Sequence, residues 1–153
     1  ALGLFKQMKP LIDEKVVWFA YHNGRPIGMF VNIPELNQYY KHFNGKFGLL
    51  QKLYFLWLRQ RGACRHFTGI VFAVVPDYQA KGVDAYIVGE SAKIIQPDGF
   101  YTKYEMQWIG DFNPKMVNIA RTLGETYVSR KLTTYRYLFD RTKEFKRHPM
   151  LAK

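Results

Sequence analysis

The chain is short of acid. Its 12 Asp and Glu residues stand against 23 Lys and Arg, a formal charge of +11 at pH 7, and that imbalance favours a partner that carries phosphate. Cysteine is nearly absent as well. A single Cys64 cannot close an internal disulfide, which excludes a bridge-stapled scaffold and agrees with a reducing compartment. No apolar run reaches the roughly 18 residues that a membrane-spanning helix requires. Low-complexity tracts and internal repeats are missing too. What remains is 153 residues, 48% hydrophobic and 17% aromatic, enough for one domain with one core. A soluble, cytoplasmic, globular protein is the expectation.

Along the chain, Val16 to Tyr21 is a β-rich run, Asn23-Gly24 is the preferred type I′ hairpin dipeptide, and Pro26 to Ile33 returns as a second strand. Pro34 stops that strand, and Gly45 and Gly48 punctuate the connection that follows. From Leu49 to Arg59, residues Leu49, Leu50, Leu53, Tyr54, Leu56, Trp57 and Leu58 recur at near-helical spacing. Arg65 to Val75 reads as a long strand, Gly82 to Ile95 as a helix, Pro97-Asp98-Gly99 as a turn, and Tyr101 to Trp108 as an alternating strand. Asn113 is a good N-cap with Pro114 at the first helical position, so a helix runs to about Leu123 and stops at Gly124. Glu125 to Phe139 is expected as one long or two short strands. The sum is an α/β (α+β) fold, a mixed, mostly antiparallel sheet with helices on both faces. Leu2 to Met8 already reads as a helix, and the chain opens with Ala1 rather than Met. A C-terminal domain cut from a longer protein, with an upstream domain as partner, is the expectation.

The segment Val74-Val75-Pro76-Asp77-Tyr78-Gln79-Ala80-Lys81-Gly82-Val83-Asp84-Ala85 takes an apolar strand through a turn into a helix. The first four amides of a helix lack intrahelical acceptors and carry partial positive charge, so a phosphate can bind there to main chain alone. Gly82 lets a ligand approach closely, and Lys81 adds a mobile positive charge.

With its surroundings, this segment resembles the coenzyme A-binding core of the GNAT acyltransferase superfamily. The family's phosphate loop reads Gln/Arg-x-x-Gly-x-Gly/Ala, commonly after a strand ending Val-x-Pro. Val74, Pro76, Gln79 and Gly82 match that pattern, and Asp84 departs from it. About thirty residues later, Asn113-Pro114-Lys115-Met116, followed by Ile119, Ala120, Leu123 and Gly124, is similar to the family's second motif. The resemblance extends over Val16 to Tyr137 and is strongest over Ile70 to Gly124. It makes 1–153 one GNAT-like domain with a helical insertion at about 35–62, where typical members have a much shorter loop. A helix packed on its own domain is the plain account of that insertion. A lid over the acceptor site, a dimer contact and a membrane-surface helix are the alternatives.

The resemblance implies direct attack of an acceptor amine on acetyl-CoA or a related acyl-CoA. Backbone groups around Phe72, Ala73 and Val74 would pair with the pantetheine amides and polarise the thioester. Gln79, Ala80, Lys81, Gly82, Val83 and Asp84 would take the pyrophosphate. Asn113 and Met116 would lie along the pantetheine arm, where a helix cap and core packing are their plain roles. Asp84 sets a carboxylate where the family has a small neutral residue, and Ala120 stands where the family often has a tyrosine that protonates the departing thiolate.

Glu105, on a strand face with Gln107, is the candidate general base, and pairing with one of the many cations is its plain reading. Asp111 is a second candidate. His22, His42, His66 and His148 lack metal-ligand spacing, and no metal is expected. The positive charge admits nucleic acid as a rival partner, because Arg59, Arg61, Arg65, Lys93, Arg130, Lys131, Arg136 and the tail Arg141 to Lys153 are interleaved with aromatics. No RRM, KH or zinc signature accompanies them. An acyl-CoA-dependent N-acyltransferase acting on a small-molecule or peptide amine is therefore the first reading. A non-catalytic coenzyme- or partner-binding module of the same fold comes second, and a basic RNA-binding domain third.

Overall fold

Asn23 and Gly24 take φ angles of 49° and 76°, the two left-handed residues that a type I′ turn demands. They join β1 (Val17–His22) to β2 (Arg25–Pro34), antiparallel, with a register shift between Ala20 and Tyr21. β3 (His66–Val74) pairs antiparallel with β2, and β4 (Lys103–Met106) pairs parallel with β3. The order β1-β2-β3-β4 is the mixed, mostly antiparallel sheet that the sequence implies. These elements belong to a computed structural model that describes residues 9–147 and 149–151. The expected helix over Leu2 to Met8, His148 and the last two residues of the basic tail lie outside the described residues.

Among the described residues, four α-helices accompany the sheet: α1 (Asn37–Tyr40), α2 (Leu49–Gln60), α3 (Val83–Asp98) and α4 (Pro114–Thr122). None among the described residues is long and apolar enough to cross a membrane. α3 packs across β1, β2 and β3. Gly28 on β2 makes room for it, since a β-carbon there would stand 2.8 Å from Ile87 Cδ1. α3 also runs past its expected end at Ile95, through Pro97 to Asp98, before Gly99 closes it with φ 62°. Pro97 sits in the last turn, where it withholds an N–H from the Lys93 carbonyl, and the helix ends one residue later.

The described residues fall into two compact units, one ending at Gln107 and the other starting at Trp108. In the first, Val16, Phe67 and Ile95 form a core with Tyr101 and Tyr104 against it, and Phe67 stacks on Tyr104 at 4.8 Å. Tyr39, Phe43, Phe55 and Leu58 of the 35–62 insertion form a second core with Cys64, which follows it. Phe55 and Leu58 are the buried residues of α2. The expected apolar face named Leu58 but left out Phe55, and most of its other members are exposed.

In the second unit, Leu151 donates its backbone N–H to the Phe112 carbonyl at 2.8 Å, and Arg147 pairs with Asp111. The expected strand or strands over Glu125 to Phe139 do not form. Tyr127, Val128, Leu132, Tyr135 and Phe139 are all exposed there, and alternation without a neighbouring ladder does not fix a strand. The expected strand Tyr101 to Trp108 is also shorter, because β3 offers β4 only the rungs from His66 to Gly69.

Candidate functional site

β3 and β4 part company. Their last rung is Gly69 opposite Met106, while β3 continues to Val74 and pairs there with β2 alone. From Ile70 to Val74, therefore, the edge of β3 turned away from β2 has no strand partner among the described residues. Phe72 and Val74 are half-buried and Ala73 is exposed on this stretch, which puts the three residues expected to meet a pantetheine beyond the fork. Unpaired strand edges are templates for an extended ligand with amides of its own.

The loop after β3 begins by tightening. Val75 donates to the Ile27 carbonyl at 2.9 Å, and Pro76–Tyr78 make a 3-10 turn closed by Tyr78 N–H on Val75 O and Gln79 N–H on Pro76 O. Gln79 then reaches back, its Nε2 donating to the Val74 carbonyl at 3.0 Å. Ala80 takes φ 58°, uncommon for a residue with a β-carbon. Gly82 is the N-cap of α3 with φ 76°; no side chain caps the helix, and a β-carbon at Gly82 would meet nothing within 4 Å. The entrance is thus open to solvent, with free space where a phosphate oxygen would come. Lys81 Nζ lies 5.3 Å from the centre of the Tyr78 ring, and the Tyr78 hydroxyl is 3.0 Å from His22 Nδ1 at the end of β1. Those contacts tie the loop to the hairpin, a link that no local pattern reveals because its partners lie 56 residues apart. Asp84 occupies the second position of α3, where a carboxylate is favoured by the helix dipole and competes with any other anion.

At the fork, Thr68 is buried and its hydroxyl meets both Glu105 O, at 3.1 Å, and Gln107 Nε2, at 2.6 Å. Glu105 faces Thr68 across the parallel pair, so the candidate base stands one rung below the last, half-buried. Sequence reasoning found Glu105 and Gln107 and missed Thr68, which looks like one more residue of a β-rich run. On β2, opposite Gly69 of the last rung, Asn32 is fully buried with Nδ2 donating to Val16 O at 2.8 Å. Burial also pushes the Tyr104 hydroxyl upward from its ordinary pKa, which leaves it a neutral wall of the core rather than an acid for neutral pH.

Asn113 and Met116 belong to the second unit. Asn113 caps α4, with Oδ1 accepting from the Met116 backbone N–H at 3.2 Å, and Met116 is half-buried. Ala120 follows on the same helix, and Asp111, the other candidate base, carries the ion pair with Arg147. A cavity of about 550 Å³ lies at the other end of the sheet, lined by Leu11, Asp13, Pro34, Tyr39, Phe55 and Tyr101 among others. It adjoins the start of β3, whereas the loop follows its end, so it is not the space the fork and helix entrance share.

No protein-family model matches the chain. A curated relative, the bacterial ceramide synthase of Caulobacter vibrioides (strain NA1000 / CB15N), is 26% identical over 128 residues, which cover 81% of this chain and 33% of that protein. The chain thus spans about a third of the length of the curated relative it matches. Among solved structures, an aminoglycoside acetyltransferase from an uncultured soil metagenomic sample, in complex with sisomicin, superposes with a TM-score of 0.55 at 13% identity, covering 87% of this chain and 73% of that one. The aminoglycoside N-acetyltransferase AAC(6')-Iy in complex with CoA gives 0.52 at 13% identity, covering 90% of each. At such identities the likeness speaks for the fold.

Proposed function

Starting from the GNAT fold that the chain shares with these acetyltransferases, we propose that it is an acyl-CoA-dependent N-acyltransferase. The observation that carries this reading is the conjunction, within one unit, of a forked strand pair and a helix entrance that no side chain fills. The acyl-CoA pantetheine adds to the free edge of β3 at Phe72 to Val74, and its pyrophosphate meets the main chain from Gln79 to Asp84. The acceptor amine forms a bond to the thioester carbonyl carbon while the carbon–sulfur bond breaks, and the electron pair leaves on sulfur. Glu105 takes a proton from the attacking nitrogen, and the thiolate is protonated from solvent, as Ala120 supplies no acid.

The neighbours' acceptors and the ceramide synthase relative point to an amine acceptor. A ceramide is the fatty amide of a long-chain amino alcohol, so we take such an amine, acylated from acetyl-CoA or a longer acyl-CoA, as the first substrate class to assay. A cytoplasmic setting goes with the lone Cys64 and with acyl-CoA as co-substrate. The test is release of free CoA thiol from acyl-CoA, dependent on added amine. Stabilisation by CoA with no thiol release from any amine would instead favour the non-catalytic coenzyme-binding reading, to which Asp84 and Ala120 lend weight. Absence of any CoA effect on the melting temperature would remove both.

A further inference from the structure

Helix α2 turns most of its apolar residues away from the protein. At 100° per residue, Phe55 and Leu58 point inward, and Leu49, Leu53, Leu56 and Trp57 share the opposite side with Leu50. Leu49 and Leu50 are 74% and 76% exposed and Leu53 and Leu56 each 56%. Phe47, just before the helix, is exposed as well. Isolated exposed leucines mean little, but a contiguous outward stripe marks a surface that something covers.

Charge says what covers it. From Leu36 to Cys64 the sequence holds Lys41, Lys46, Lys52, Arg59 and Arg61 and no Asp or Glu. Lys52 Nζ lies 5.9 Å from the Phe47 ring, and the Arg61 guanidinium 4.4 Å from the Trp57 ring, itself stacked on Tyr54. Leucines and a tryptophan flanked by cations that lie against the aromatic rings are the composition of a helix that rests in a bilayer interface, apolar side among the acyl chains and cations among anionic headgroups. A second copy of the chain fits poorly, because a two-fold contact would bring Lys46, Lys52 and Arg61 against the same three cations, with no acid on the helix to pair them.

We propose that the outward face of α2 docks on an anionic membrane surface, with Leu49, Leu53, Leu56 and Trp57 inserted and Lys46, Lys52 and Arg61 on the headgroups. Docking needs no coenzyme, so it stands or falls apart from acyl transfer. If the acceptor is a long-chain amine, it also brings the enzyme to the phase in which that amine dissolves.

The test is co-sedimentation of the full chain with phosphatidylglycerol-rich and with pure phosphatidylcholine vesicles. Wild type is expected to pellet with the first and far less with the second, and binding should fall as salt rises. The double variant Leu53→Glu/Leu56→Glu, both sites being exposed, should keep its circular dichroism and melting temperature and bind at least about tenfold more weakly. Lys46→Gln/Lys52→Gln should weaken binding to anionic vesicles without the insertion residues being touched. Failure of wild type to bind anionic vesicles, or undiminished binding by the leucine variant, overturns the proposal. So does a wild-type dimer that the leucine variant converts to monomer while neither binds vesicles, which would make the face a self-interface.

Discussion

Gln107 Nε2 donates to the Thr68 hydroxyl at 2.6 Å, just where β4 leaves β3. Thr68 in turn reaches the Glu105 carbonyl, so one buried hydroxyl holds both the main chain and the side chain of the departing segment. Thr68→Val should leave the Glu105 carbonyl without its donor, while the exposed Gln107 amide turns to water, and cost about 1–3 kcal/mol of folding stability. Gln107→Ala, which leaves the second bond in place, should cost roughly 0.5–1.5 kcal/mol. Denaturant unfolding of the two variants checks the order; equal losses would mean that the hydroxyl does not organise the fork.

Gly82 and Gly99 bracket α3 with nearly the same backbone, φ 76° and 62°. An alanine at either should carry a similar strain, on the order of 1 kcal/mol. Only at Gly82 does the added methyl occupy the open entrance. CoA should therefore raise the melting temperature of wild type and Gly99→Ala alike and that of Gly82→Ala much less. A ligand shift that survives Gly82→Ala intact would place the coenzyme elsewhere.

Asp84 pulls in two directions. Its carboxylate at the second position of α3 favours the helix dipole by roughly 0.3–1 kcal/mol and repels a pyrophosphate by a comparable amount, about 1 kcal/mol. Asp84→Asn should thus lower the melting temperature of the free protein while tightening CoA about three- to tenfold. Calorimetric titration reads the second effect and thermal unfolding the first. Looser CoA binding in the variant would show that Asp84 helps hold the ligand.

Alkaline pH should unfold the chain through its buried phenols. Burial, with the nearby Cys64, pushes Tyr39 up to about 12, and burial likewise raises Cys64 and Tyr101, the latter with its hydroxyl on Asp13 at 2.6 Å. An unfolded tyrosine ionises near pH 10, whereas native Tyr39 keeps its proton to about 12, so its stabilisation is whole below pH 10 and lost as pH rises towards 12. Denaturant unfolding should give a steady decline over that window, shallower in Tyr39→Phe. A flat profile in wild type would contradict it.

The sequence speaks most clearly where a few adjacent residues decide the geometry. Asn23-Gly24 dictates a hairpin, Asn113-Pro114 starts a helix, and the strand, turn and glycine from Val74 to Gly82 lead to an open helix entrance, all as read. It speaks least where partners are distant. Thr68 and Gln107 are 39 residues apart, Asp13 and Tyr101 88, and nothing local pairs them. Spacing gave α2 an apolar side but not its orientation, which the inward Phe55 and Leu58 decide. Over Glu125 to Phe139 alternation had no ladder to join. The roles of Glu105, Asn113 and Met116 rest on the resemblance, since fold likeness places residues without assigning their chemistry.

Gly28 would carry its β-carbon 2.8 Å from Ile87 Cδ1 and 3.3 Å from Val83 Cγ1. Val83 opens α3, so a hydrogen atom on the adjoining strand decides how deep the helix mouth sits. An alanine at residue 28 would turn the Ile87 Cδ1 methyl aside and crowd Val83, and a bulkier side chain would press on the first turn of α3. The entrance proposed to hold a diphosphate is in this sense adjustable from inside the sheet, by a residue the ligand would not touch.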